Sequence, residues 1–261
     1  MTFKLIFNEF SVRFFNIKTI ISIIVIAIIC IVAAQDEMIP GVSVSYLINH
    51  IMVFSHIQEL ILVASAFPVV MTFCDDWEHR FTFNQVIRTN TLNYAISKVT
   101  LAFFGSFLVT FIGLFISVGV LLLWFPLYIP HEFTVLARMF PAYSELVFSA
   151  YPVTALLLKI TVFSYSMGFW TSLGLLLSTY IPNRLVVLVS PYILRYYLGY
   201  FMMYLPGIFN EEHISESYPI FFGEPWWVHF SYFTLYYFVL FLLILFFFKR
   251  QLEKRVRNES A

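Results

Sequence analysis

The stretch SKVTLAFFGSFLVTFIGLFISVGVLLLWF, residues 97–125, decides the fold. After Lys98 it holds no charged side chain, and no proline interrupts it. A helix that crosses a hydrocarbon core of about 30 Å needs roughly 20 apolar residues. This run exceeds that length, so it either tilts or projects into the cytoplasm. Working outward, five more runs qualify, at about 19–35, 56–74, 159–180, 185–206 and 228–248. Charged residues make up only 11% of the chain, where a soluble domain carries about a quarter. The expected fold class is an all-α integral membrane protein with six transmembrane helices in a single domain, residues 1–261.

Charge orients the spans. With the N-terminus inside, the cytoplasmic pieces are 1–18, 75–98, 181–184 and 249–261, and they hold twelve of the 15 Lys and Arg. Lys and Arg concentrate on the cytoplasmic side of membrane proteins, so both termini are expected there. The outer loops collect Asp36, Glu37, Glu132, Glu145, Glu211, Glu212, Glu216 and Glu224, and the run Glu211-Glu212-His213 reads as a solvated acidic loop. Trp226 and Trp227 precede the last span, where an interfacial aromatic belt would place them. An apolar stretch at 139–158, broken by Pro141 and Pro152, reads as a short outer interfacial or re-entrant segment. Zero net charge leaves no basic surface for nucleic acid. Cys30 and Cys74 lie at opposite ends of successive spans, so they read as buried thiols rather than a disulfide.

Residues 3–18 place Phe3, Ile6, Phe7, Phe10, Phe14 and Ile17 at helical spacing, with Lys4, Asn8, Ser11 and Lys18 elsewhere on the wheel. This reads as an amphipathic helix on the membrane lipid of the inner leaflet, or as a cytoplasmic extension of the first span. Lys4, Arg13 and Lys18 before an apolar run imitate a signal peptide, but an uncleaved first span keeps the topology balanced.

The segment from Asp75 to Lys98 is far longer than a turn between helices needs. Acids open it, Trp77, Phe81, Gln85 and Arg88 fall on one helical face, and Asn90 is placed to cap the next helix. The expectation is a cytoplasmic surface helix over 75–96; the alternative is a charged loop that only sets topology.

This acidic start, the surface helix and Arg88-x5-Tyr94-x3-Lys98 opening span three resemble ABC-2 type transporter permeases. The N-terminal amphipathic helix, the six spans and the long outer loop before the last span resemble them too, over essentially the whole chain. The resemblance implies a membrane-spanning export subunit in a bacterial cell membrane. Its partners would be a separate ABC ATPase subunit and a second permease subunit, identical or different. By that resemblance, 75–96 is a coupling helix, with Asp76, Glu78 and Arg88 the ATPase contacts. The substrate would be an amphiphile such as a peptide, drug or lipid.

Arg195 stands near the middle of the fifth span, among Tyr192, Tyr196, Tyr197 and Tyr200. An arginine at such depth faces protein or a watery cavity. It lines a translocation path with Tyr192 and Tyr196 or binds an anionic group of the substrate, or it pairs structurally with carbonyls, tyrosines or an acid, or it snorkels to a surface from a shifted span. Pro191 can kink this span, and Gly168, Gly174 and Gly199 permit close helix contacts.

No phosphate loop, His-Glu-x-x-His pattern or Gly-x-Ser-x-Gly turn occurs. Any ATP would be hydrolysed by another chain, and no metal or cofactor is expected. Glu211-Glu212-His213 lacks the arginine that a paired-glutamate protease motif requires. The alternative to export is a non-transporting membrane scaffold or immunity protein, or an intramembrane enzyme.

Overall fold

A computed structural model describes residues 2–38, 41–53, 57–139, 141–149, 151–221 and 223–260. The described residues are helical or in turns, with no strand. The N-terminal helix α1 (Thr2–Phe14) ends at a break, where the Asn16 side chain accepts from the Thr19 amide at 3.2 Å and caps α2 (Ile17–Ala34). Such a cap satisfies a backbone donor that the first helical turn leaves open. The amphipathic segment is thus shorter than expected, and Ile17 belongs to the first span. The side chains of Phe3, Lys4, Ile6 and Asn8 lie outside the described residues.

The expected second span, 56–74, is not one helix: α4 (Gln58–Ala66) gives way to turns at 67–71, and it is long enough to cross only when taken with the preceding α3 (Val44–Val53), which it meets at 82°. The span's expected first residue, His56, lies outside the described residues. Past Pro68 the chain continues into α5 (Thr72–Glu78), α6 (Phe81–Arg88) and α7 (Thr91–Leu121). Asn90 accepts from the Asn93 amide at 2.7 Å, the cap that the sequence predicts. At 1.5 Å per residue α7 is about 46 Å long, longer than a hydrocarbon core, and its first residue, Thr91, donates to Glu253 near the end of the last long helix.

Short helices α8 (Phe133–Met139) and α9 (Ser144–Phe148) precede α10 (Pro152–Ser178). Here the expected span limits need correction. Pro152 occupies the first turn of α10, where its missing N–H costs nothing, so it opens this span instead of breaking an interfacial piece. Then come α11 (Arg184–Met202), α12 (Glu211–Ser215) and α13 (Trp226–Ser260), whose last turns take the expected C-terminal tail into the helix.

Five helices, α2, α7, α10, α11 and α13, are long and apolar enough to cross a membrane, or six spans if α3 and α4 count as one. Helices α7 and α10 form the centre, surrounded by α2, α4, α11 and α13. Small residues permit the contact: a Cβ on Gly168 would lie 2.6 Å from the Phe103 carbonyl, and one on Gly113 2.7 Å from Ile26. Gly199 meets nothing, so the close contact expected there is absent. Outward, Ile20, Ile24 and Ile28 of α2 and Leu235, Leu242 and Phe246 of α13 are exposed, as on helices whose outer faces meet lipid tails. Cys30 and Cys74 are both free and buried.

The two ends of the bundle differ. Glu9, Gln85, Thr91 and Arg255 meet at one end, with α5 and α6. The other end is closed by α3, α8, α9 and α12, joined by backbone bonds such as Val44 to Pro126 and Ala142 to Ser217.

Candidate functional site

At the end that holds α1, a left-handed Arg80 (φ 54°) divides the expected surface helix into α5 and α6. The break removes the shared face: Trp77 turns to the Arg255 guanidinium, 4.2 Å from its ring, while Phe81 is exposed. Asp76 points inward, with 2% of its surface exposed. Its carboxylate accepts from Lys98 Nζ at 2.7 Å, from Tyr94 Oη at 3.0 Å and from the Arg13 guanidinium. Beside it, Glu9 accepts from Lys98 Nζ at 2.9 Å, Arg13 Nε at 3.2 Å and Gln85 Nε2 at 3.1 Å.

Two carboxylates and two cations therefore balance in a buried network that ties α1, α5, α6 and α7 together. Burial pushes the Glu9 carboxyl up, but Lys98, Gln85 and Arg13 more than offset it and leave it below its ordinary value. Burial likewise lowers Arg13, and Asp76 and Glu9 reverse this to hold it above its usual range.

Asp76 is thus buried in this network rather than exposed on the surface of the segment. Its acid end of the helix marks an internal lock. Glu78 is exposed and pairs with Arg184 Nη2 at 2.6 Å; Arg184 Nε also reaches Asp75 at 3.0 Å. Arg88 lies exposed on α6, beside Ile87 at 83% exposure and near Asn84. The pattern Arg88-x5-Tyr94-x3-Lys98 therefore splits, its last two members in the lock and its first on the surface. Sequence reasoning missed Glu9, although Glu9 and Arg13 stand four apart, the spacing of a helical ion pair.

The second site lies around Arg195. Its Nη2 donates to Gln58 Oε1, and Gln58 Nε2 in turn donates to the Met52 carbonyl at 2.6 Å. Tyr196, Gly199 and Tyr200 of α11 and Met203 just after it line a cleft of about 350 Å³ with Glu59, Glu211, Glu212 and Glu216. Tyr192 is exposed on α11 and is not among its lining residues.

The acidic outer loop expected to be solvated is partly internal. Glu211 is 3% exposed and accepts from Ser166 Oγ at 2.5 Å and Tyr237 Oη at 3.0 Å. Asn210 initiates this turn by accepting from the Glu212 and His213 amides. Lys159, the first residue of the run expected at 159–180, is fully buried in α10 and donates to the Glu216 carbonyl. Burial pushes the Glu216 carboxyl up to about 7, with Glu212 and Glu211 adding to the rise against Lys159 and Arg195. Glu132 is also internal, accepting from the Ser43 amide at 3.1 Å. Among the described residues no group of three His, Cys, Asp or Glu side chains is arranged to hold a metal ion.

The architecture defines a class, an all-helical bundle whose long apolar helices are compatible with an integral membrane protein. A scan against protein-family models and searches of curated proteins and solved structures return no match.

Proposed function

We propose that the chain is the membrane-spanning permease subunit of an ABC-2 type exporter in a cell membrane, driven by a separate ATPase subunit. The carrying observation is α6: its inner side engages Glu9 through Gln85, and its outer side exposes Phe81, Asn84, Ile87 and Arg88. A partner that pushes on that outer side acts on α7 through Gln85, Glu9 and Lys98, in hydrogen-bonded steps of 3.1 and 2.9 Å. Such a push shifts a conformational equilibrium only if the partner contacts the two states differently. Glu78 and Arg88 stay in this reading as ATPase contacts; Asp76 acts behind them as an internal anchor. A second permease subunit, identical or paralogous, covers the exposed side of α11, with lipid on the remaining outer faces. The cleft around Arg195, at the far end of the bundle, opens beside that side of α11.

The test is purification of the tagged chain from its own membranes in mild detergent. The reading requires a co-purifying chain with a phosphate-loop sequence and ATP hydrolysis by the complex. The pair of substitutions Ile87→Asp and Arg88→Glu should abolish recruitment while Arg138→Gln leaves it intact. A monodisperse chain without an ATPase, or recruitment indifferent to α6, sinks the proposal.

A further inference from the structure

Anion binding was one of the roles open to Arg195 from the sequence, but its surroundings have the opposite sign. Glu59, Glu211 and Glu212 line the cleft against the single guanidinium of Arg195. Glu216 lines the cleft as well, with Lys159 Nζ on its backbone carbonyl, and even with Glu216 protonated and Lys159 charged the remaining acids, Glu59, Glu211 and Glu212, outnumber the two cations. An anion entering here would meet more negative charge than positive, whereas a cation would meet the reverse.

Among the described residues, two shielded atoms of the lining have no hydrogen-bond partner: the acceptor Glu59 Oε2 and the donor Arg195 Nη1. Unsatisfied buried polar atoms are costly, and a ligand that supplies both a donor and an acceptor would relieve the cost. The remaining wall is apolar and aromatic, with Tyr196, Tyr200, Met203 and Val53. Tyrosine faces attract organic cations as well as apolar chains. A volume of 350 Å³ lies in the range of small-ligand sites.

We propose that this cleft receives the head of a cationic amphiphile, an ammonium or guanidinium group beside a hydrogen-bond acceptor, with its apolar part along Tyr196, Tyr200 and Met203. Calling that ligand an exported substrate rests on the permease reading; the binding itself does not.

The experiment uses the full chain in phosphatidylcholine nanodiscs without any ATPase, with dansylcadaverine as the fluorescent probe and empty nanodiscs as the blank. Its N-acetylated form is the neutral comparison, and dansyl-aminohexanoate the anionic one. The amine should bind at least about tenfold tighter than either, the worth of one charge-assisted hydrogen bond. Glu59→Gln and Glu212→Gln should each weaken it by about tenfold. Arg195→Gln, which removes the one cation of the lining, should widen the preference for the amine over the anionic probe, and Glu78→Gln, at the far end, should leave binding unchanged. Glu212 is half-buried, so if Glu59→Gln does not fold, Glu212→Gln decides alone. Preference for the anion, equal binding of amine and acetylated probe, or unchanged affinity in the glutamine variants overturns the proposal. Because no ATPase is present, failure of recruitment to α6 leaves this result standing, and loss of amine binding leaves the coupling test standing.

Discussion

Lys98 Nζ lies 2.7 Å from an Asp76 carboxylate oxygen, with 0% and 2% of the two side chains exposed. The pair joins the start of the longest central helix to the segment before α6, and Glu9 and Arg13 complete its charge balance. Removing one member of a buried ion pair typically costs about 3–5 kcal/mol, because the other charge is left without compensation. Lys98→Met should therefore be severe, since it leaves Asp76 and Glu9 facing Arg13 alone. Adding Asp76→Asn to that variant restores the balance between Glu9 and Arg13. The double variant should be less destabilised than the sum of the two single ones, read from denaturant unfolding in detergent as a double-mutant cycle. Additive losses would show that the charges do not act as one network.

Gly168 sits where α10 crosses α7, so close that an added methyl would strike the Phe103 backbone carbonyl. A carbonyl held in a helix cannot swing aside as a side-chain tip can. Gly168→Ala should cost about 1–3 kcal/mol, the range for an overpacked interior. Gly199→Ala and Gly119→Ala, whose new methyl groups meet nothing, should be neutral or slightly stabilising through helix propensity. Apparent melting midpoints in one detergent separate the cases; equal effects at 168 and 199 would refute the close-contact account.

Arg255 holds the end of α13 against the bundle. Its guanidinium lies over the Trp77 ring and donates through Nη1 to the Thr179 carbonyl at 2.7 Å, while Glu253 accepts from Thr91 at 3.0 Å. A cation–π contact is worth about 0.5–2 kcal/mol, enough to limit fraying of a helix end. Arg255→Ala should speed tryptic cleavage after Arg250 and Lys254, as read by mass spectrometry, without moving the global melt. Unchanged cleavage would mean that the last turns are held by other contacts.

The sequence shows the spans well because crossing a membrane demands length and apolarity, both local properties. The start of α7 at Asn90 was legible for the same reason, since a cap is set by neighbours three residues apart. What escaped was set by tertiary contact. Nothing local says that Asp76 turns inward while Glu78 turns out, because Arg13 and Lys98 are distant in sequence. The left-handed Arg80 that ends the expected surface helix carries no glycine signal. Glu211 reads as a loop acid until α10 and α13 bring Ser166 and Tyr237 to it. The sign of the cleft around Arg195 likewise depends on side chains from α4 and α12.

Glu216 makes one part of this cleft sensitive to pH. Its ordinary value is 4.5, and burial, helped by Glu212 and Glu211 and opposed by Lys159 and Arg195, raises it to about 7. A carboxyl raised by folding binds its proton more tightly in the native state. Its stabilising contribution is complete below about pH 4.5 and is lost as pH rises through about 7. Glu9 shifts the other way, so its contribution is complete above the ordinary carboxylate value and stays constant across this window. The apparent melting midpoint of the detergent-solubilised chain should therefore fall by a few degrees from pH 5 to pH 7.5, and Glu216→Gln should flatten the profile. Arg195→Gln removes a charge that lowers Glu216 and should move the fall to higher pH. A wild-type profile without a fall, or an unchanged slope in Glu216→Gln, would place the titrating group elsewhere.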